Sequence, residues 1–206
     1  MRWLCVIVLV ALTAQASAGR ETCREPRATQ PVVAELFALR DVDIPIVAAV
    51  NGVAAGAGAS LAVACDFRVA SAKASIGFTF NRIGVHPDWG ATWFLPRLVG
   101  PGHAAHLVFT ARMVDADEAQ RIGLFERVVP ADDFQAEVRA LAAELAAKPP
   151  LALAAARQSL ARSFDSDLGE MLEAERQAQM RCFRSADVRE GIAAFHEKRK
   201  PSFRGE

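Results

Sequence analysis

The chain has 206 residues, 52% of them hydrophobic and 23% charged, with Lys+Arg and Asp+Glu both at 24 and a formal net charge of zero. That length suits one domain, or one with an appendage, and the apolar fraction suffices for a buried core. The charge balance argues against a nucleic-acid binder, which needs a basic excess to neutralise phosphates.

Arg2 precedes an apolar run from Trp3 to Leu12, and Ala16-Ser17-Ala18 follows it. A positive start, an apolar run and an A-x-A site form the pattern of a secretory signal peptide. The run is short for a transmembrane helix. Residues 19–30 are polar and unpatterned, as a link would be. Pro31 to Arg40 can form a short helix with Val33, Leu36, Phe37 and Leu39 on its apolar side. The unbroken apolar run Pro45 to Val50, ended by Asn51-Gly52, predicts a strand buried on both faces. After Gly56-Ala57-Gly58, the small residues Ala59 to Ala64 predict a helix closed at Asp66, and Phe67 to Ala70 the next strand. Strand, glycine-rich turn, helix and strand make a right-handed crossover unit.

From Trp89 onward the pattern is mostly helical, with Pro101-Gly102 preceding a helix over His103 to Arg112. Asp115 and Glu118 have capping-box spacing, and Gly123 ends the helix they start. Leu124 to Val129 reads as a strand, and Phe134, Val138, Leu141 and Leu145 recur at helical spacing. Two further helices follow Pro150 and Asp167, and the basic ending Glu197-Lys198-Arg199-Lys200 is a solvated helix end or a phosphate contact. Cys5, Cys23, Cys65 and Cys182 lie far apart without a CxxC pair, so they read as ordinary thiols with no metal site.

Two stretches carry candidate chemistry. At Gly56-Ala57-Gly58, small residues admit a ligand close to the backbone, and the amides of a helix start point outward with partial positive charge. Such a turn can hold a phosphate or a thioester enolate oxygen; the same small residues also serve tight strand–helix packing. It is not a dinucleotide fingerprint, because Leu61 stands where GxGxxG needs its last glycine. Asp88, in Val85-His86-Pro87-Asp88-Trp89-Gly90, is either an N-cap or a proton carrier. Pro87, Trp89, Trp93 and Phe94 make an apolar wall that would raise its pKa for the second role. His86 is a second polar group or a surface residue. Trp89 and Trp93, i and i+4, would share one helix face as core or pocket wall.

Pro45 to Gly52, Gly56-Ala57-Gly58, Ala64-Cys65-Asp66, Ile83-Gly84, Pro87 to Thr92, Leu95 to Gly100, Glu118-Ala119, Gly123-Leu124 and the ending Glu190-Gly191 through Phe195 to Arg199 carry a resemblance. Over residues 31 to 203 the chain resembles the enoyl-CoA hydratase/isomerase (crotonase) family. The resemblance implies an α/β fold, a spiral of ββα units incomplete at the N-terminus, with a C-terminal helical region. The divisions would be a signal-like or mis-framed segment 1–30, a truncated core 31–130 and a trimerisation region 131–206. It implies acyl-CoA thioester substrates and an oxyanion hole of two backbone amides. One amide would be that of Ala57; the second comes from a loop before the matched region, missing here with the first third of a usual member.

The family's two hydratase glutamates would fall at Ser60 and Phe80, neither of which can activate water. An acid at the Asp88 position is instead similar to the isomerase branches, including the one acting on ring-epoxidised phenylacetyl-CoA. The reading implied is an acyl-CoA isomerase: Asp88 catalytic, the Ala57 amide in the oxyanion hole, and Gly56, Gly58, Trp89, Gly90, Trp93 and Phe94 lining the substrate pocket. No metal or redox cofactor is implied, coenzyme A being part of the substrate. The implied partners are copies of the chain in a trimer or hexamer, with no nucleic acid and no membrane. The alternatives are an enoyl-CoA hydratase, a truncated inactive protein that acts at most as an assembly partner, and a secreted binding module. Acyl-CoA chemistry implies the cytoplasm, whereas residues 1–18 as a true signal imply export. A third reading of residues 1–30 is family coding sequence read in a shifted frame: with each codon taken from its third base over Ala16 to Cys23, permitted codons spell Phe-Cys-Gly-Ala-Gly-Asp-Leu, close to the family's Phe-Cys-Ala-Gly-x-Asp-Leu loop.

Overall fold

Val47–Val50 (β2) is buried along its whole length. A strand of β-branched residues and alanine with no polar face must be covered on both sides, which is the position of an inner strand in a parallel sheet. A computed structural model describes residues 7–9, 36 and 38–206. In it β2 pairs in parallel with β1 (Ile7–Leu9) on one side and β4 (Phe67–Ser71) on the other. β7 (Arg127–Val129) continues this sheet beyond β4, in the order β1-β2-β4-β7. A second sheet holds β3 (Val53–Ala55), β5 (Ser75–Gly77) and β6 (Val114–Asp115), with β3 parallel and β6 antiparallel to β5.

The chain winds through both sheets in turn. β2 enters the first sheet, β3 the second, and α1 (Ala57–Ala64) leads on to β4. β4 and β5 repeat the step, followed by a 3-10 turn (Thr79–Ile83) and α2 (Ala91–Thr110). This is the spiral of ββα units that the resemblance implies. The crossover expected between Val47–Val50 and Phe67 onward is present, with β3 as an extra strand between β2 and α1.

Packing within the spiral is completed by polar ties. Asp66 accepts the Ile46 N–H at 2.8 Å and donates its own N–H to Ile46 O at 3.0 Å, joining the end of α1 to the start of β2. Arg68 is only 2% exposed on β4, amid the core. Its guanidinium donates to Cys65 O at 2.7 Å and pairs with Glu126. The Glu126 carboxylate also takes the Arg68 N–H at 2.7 Å. A buried cation is tolerable only with such partners.

Three expectations are corrected. The helix foreseen over His103 to Arg112 is the second segment of the span Ala91–Thr110 (α2) and stops at Thr110, because Ala111 turns left-handed at φ 50°. Gly100 (φ 75°, ψ 162°) interrupts it, and Pro101 follows at the first position of the second segment, where proline costs no hydrogen bond. Asp115 does cap α3 (Ala116–Arg121) by accepting the Glu118 N–H at 2.8 Å. The Glu118 carboxylate, however, takes a bidentate pair from Arg112 instead of closing the box. Trp89 stands outside the helix, so it shares no helix face with Trp93.

α4 spans Phe134–Ala146, with Phe134 and Val138 buried as their spacing requires. The described chain divides into two compact units: one comprises 46–139 with the described residues before 43, the other 43–45 with 140–206. The second unit contains α5 (Pro150–Arg162), α6 (Leu168–Arg184) and α7 (Ala186–His196). A full capping box at Asp167 and Glu170 opens α6. The last residues fold back along α7: Asp187 accepts the Arg204 and Gly205 N–H groups, and Glu190 binds Arg199 and the Ser202 N–H. Leu160, Phe164, Leu168, Phe183 and Phe195 are exposed on this unit.

Among the described residues, no helix is long and apolar enough to cross a membrane. The link 19–30, Cys5, Cys23 and the start of the helix foreseen from Pro31 lie outside the described residues, while Leu36 and residues 38–41 are helical. Of the signal-like run, Ile7–Leu9 is described, as β1.

Candidate active site

α1 begins at Ala57 because Gly56 ends β3 in a conformation (φ 55°, ψ −121°) that suits glycine alone. The first amide to find an intrahelical acceptor is that of Ser60, which donates to Gly56 O at 3.0 Å. The Gly56 N–H is used by Gly77 O at 3.0 Å. The amides of Ala57 and Gly58 lie ahead of the first helical bond, where the helix provides no acceptor. Ala57 is exposed and Gly58 buried, both at the partially positive end of the helix.

Ser60 and Phe80 converge on this turn. The fully buried Ser60 hydroxyl donates back to Gly56 O at 3.2 Å. The Phe80 ring lies 3.9 Å from where a Cβ on Gly56 would stand, with the Thr79 hydroxyl at 3.8 Å. The positions where the resemblance sets the hydratase glutamates thus border the helix start, and neither holds a carboxylate.

The segment from Ile83 to Asp88 leads out of the 3-10 turn, tethered by the Val85 N–H to Phe80 O at 3.3 Å. Pro87 is buried and Asp88 exposed. Asp88 does not cap α2: the N-cap is Gly90, in the left-handed region (φ 73°), without a side-chain bond. Asp88 holds the helix start only through its carbonyl, which accepts the Ala91 N–H at 3.1 Å. Partial burial pushes its carboxyl above the ordinary aspartate value, against the lowering effects of a backbone hydrogen bond and the nearby His86 charge. The Asp88 side chain thus bonds no amide of α2, and its carboxyl holds a proton more readily than an ordinary aspartate.

Trp89 precedes Gly90 with φ 51°, a left-handed conformation that costs a non-glycine residue roughly 1–3 kcal/mol. Beyond it, the Trp93 and Phe94 rings meet edge to face at 4.7 Å. The Arg97 guanidinium covers Trp93 at 3.9 Å and donates to its carbonyl at 2.9 Å; Arg40 stands 5.2 Å from the same ring. The structure therefore brings Gly56, Ala57, Gly58, Ser60 and Phe80 together at the start of α1. It brings Asp88, Trp89, Gly90, Trp93 and Phe94 together at the start of α2, and the two helices pack against each other. His86, whose Nδ1 sits 2.5 Å from Pro87 O, is exposed beside Asp88.

Sequence reasoning missed Arg40 and Arg97. The i,i+4 spacing of Trp93 and Arg97 was the available signal for one; nothing local marked Arg40. Among the described residues, no group of three or more His, Cys, Asp or Glu can hold a metal ion.

The enoyl-CoA hydratase/isomerase family model matches residues 12–206, starting ahead of the motif-bearing region from residue 31. A probable enoyl-CoA hydratase of Rhodobacter capsulatus is 44% identical over 170 residues, covering 82% of this chain and 66% of that protein. A 1,2-epoxyphenylacetyl-CoA isomerase of Escherichia coli is 38% identical, covering 78% of this chain and 62% of that protein. The chain thus spans less than two thirds of the length of these curated relatives. Among solved structures, an enoyl-CoA hydratase from Bacillus anthracis superposes with a TM-score of 0.83 at 36% identity, covering 86% of this chain and 69% of that one. Pseudomonas aeruginosa DspI gives 0.84 at 34% identity, covering 89% and 71%.

Proposed function

The chain belongs to the enoyl-CoA hydratase/isomerase family, and on that premise we propose that it isomerises acyl-CoA thioesters by single-carboxylate proton transfer. The observation that carries this reading is the Asp88 carboxyl, raised in pKa and bonded to no helix end. It is also supported by Ser60 and Phe80, which occupy the positions where the family resemblance implies the hydratase acids. A β,γ-enoyl-CoA would bind with its thioester oxygen accepting the Ala57 N–H. Asp88 removes a proton from the carbon beside the carbonyl, and the negative charge spreads over the thioester oxygen and the γ-carbon. The Ala57 amide stabilises that charge. Asp88 then returns the proton to the γ-carbon, so the double bond moves into conjugation with no net gain or loss of atoms. Trp89, Trp93 and Phe94 supply the apolar wall that limits water. Rearrangement of an epoxyphenylacetyl-CoA, the substrate named for the Escherichia coli relative, is the second candidate reaction.

Hydration is the rival reading, favoured by the names of other relatives. The exposed apolar residues of the C-terminal unit support self-association, and acyl-CoA substrates support a cytoplasmic setting. The reading is tested in D2O with a β,γ-enoyl-CoA. Conjugated product is expected, with deuterium at the γ-carbon only to the extent that the Asp88 carboxyl exchanges its proton with solvent before returning it. No conversion of this substrate would overturn the reading; hydration of an α,β-enoyl-CoA by the same preparation would then identify a hydratase, and its absence the inactive assembly partner.

A further inference from the structure

Gly90 is gripped from two sides. Its carbonyl accepts the N–H groups of both Trp93 and Phe94 at 2.9 Å. Its Cα rests on the Phe94 ring so closely that a Cβ there would lie 2.7 Å from Phe94 Cε2 and 3.0 Å from Leu36 Cδ2. Phe94 itself is 9% exposed, fixed by its edge-to-face contact with Trp93 and by Arg40 at 5.4 Å. Immediately before Gly90 stands the strained Trp89, and immediately before that Asp88. A strained residue persists only where its surroundings over-determine it, and the Phe94 ring, with Leu36, closes the space around the adjoining Gly90. We propose that Phe94 is a positioning residue for Asp88: seated against Gly90, its ring holds the left-handed Trp89–Gly90 pair and thereby sets where the Asp88 carboxylate stands.

Leucine at this position keeps an apolar side chain but loses the far edge of the ring. Trp89 can then relax toward an ordinary φ, and the residue displaced is its neighbour Asp88. Misplacing a catalytic group by about 1 Å can cost about a hundredfold in rate. The catalytic consequence rests on the isomerase reading; the geometric claim does not. The charged group acting on the carboxyl is His86 on its own loop; Arg40 and Arg97 face the Trp93 ring on the helix side.

The test uses the full chain and two readouts. Carbon-13 NMR follows the Asp88 carboxyl titration without substrate, assigned with Asp88→Asn. In Phe94→Leu that titration is expected to fall toward the ordinary aspartate value, while kcat drops about tenfold or more and KM changes less than about twofold. Should Phe94→Leu fail to fold, Phe94→Met is read the same way. Melting temperatures of Gly90→Ala, Phe94→Leu and the double variant supply the second readout. The double variant is expected to be less destabilised than the sum, because the shorter side chain makes room for the new Cβ. An Asp88 titration unchanged in the Phe94 variants, or strict additivity of the pair, would overturn the proposal. If the native chain turns over no enoyl-CoA, the isomerase reading fails while titration and additivity still decide the positioning claim.

Discussion

Asp88→Asn separates a chemical role from a structural one, because the change keeps shape and removes the ionisable group. If Asp88 moves the proton, kcat for isomerisation falls by at least about 10². Losing a capping side chain costs about 1 kcal/mol, or about 2–4 °C of melting temperature in a domain of this size. Here the cap is Gly90 and the exposed Asp88 side chain holds no helix amide, so that loss is not expected. The pKa shift points the same way. A carboxyl raised by folding contributes stability only while protonated, and that contribution is gone once pH rises past its folded pKa. A neutral asparagine therefore sacrifices nothing at neutral pH, and the melting temperature should stay within about 1 °C. Differential scanning calorimetry and a β,γ-enoyl-CoA assay on the same preparations give both numbers. A melting point about 4 °C lower with turnover retained would refute the reasoning and return Asp88 to a structural role.

Isomerisation should rise with pH through a midpoint above the ordinary aspartate value, since Asp88 must be ionised to accept the proton; a pH–rate profile shows this, flattened in Asp88→Asn. His86→Gln should raise that midpoint further, because the positive charge that lowers it is removed. Glu126→Ala strips the buried Arg68 of its carboxylate. Such losses cost 3–5 kcal/mol in general; with the Glu126 side chain 40% exposed, about 3 kcal/mol in urea denaturation is expected. The double variant Arg68→Leu/Glu126→Leu should recover much of it, and a near-neutral single variant would show that water replaces the partner.

The residues that announced themselves did so through pattern over several positions. Val47–Val50 is apolar at every position, which only a doubly covered strand explains, and Gly56-Ala57-Gly58 marks a tight entry into a helix. β3 and β6, at three and two residues, are too short for any period to register. Arg68 was illegible because a charge in a strand reads as a solvent-facing residue until Glu126, far along the chain, is seen beside it. Trp89 and Trp93 have helical spacing, yet the left-handed Trp89 depends on contacts that no local rule encodes. The Asp88 carboxylate was visible in sequence as two alternatives, and the position of the helix start decides against capping.

Single-carboxylate isomerisation is decided by one comparison: rates on an α,β-enoyl-CoA such as crotonyl-CoA and on a β,γ-enoyl-CoA, measured with a single preparation and with Asp88→Asn beside it. Double-bond migration in the second substrate is expected, lost in Asp88→Asn, with hydration of crotonyl-CoA at background. Rapid formation of a β-hydroxyacyl-CoA from crotonyl-CoA, unchanged in Asp88→Asn, would contradict it.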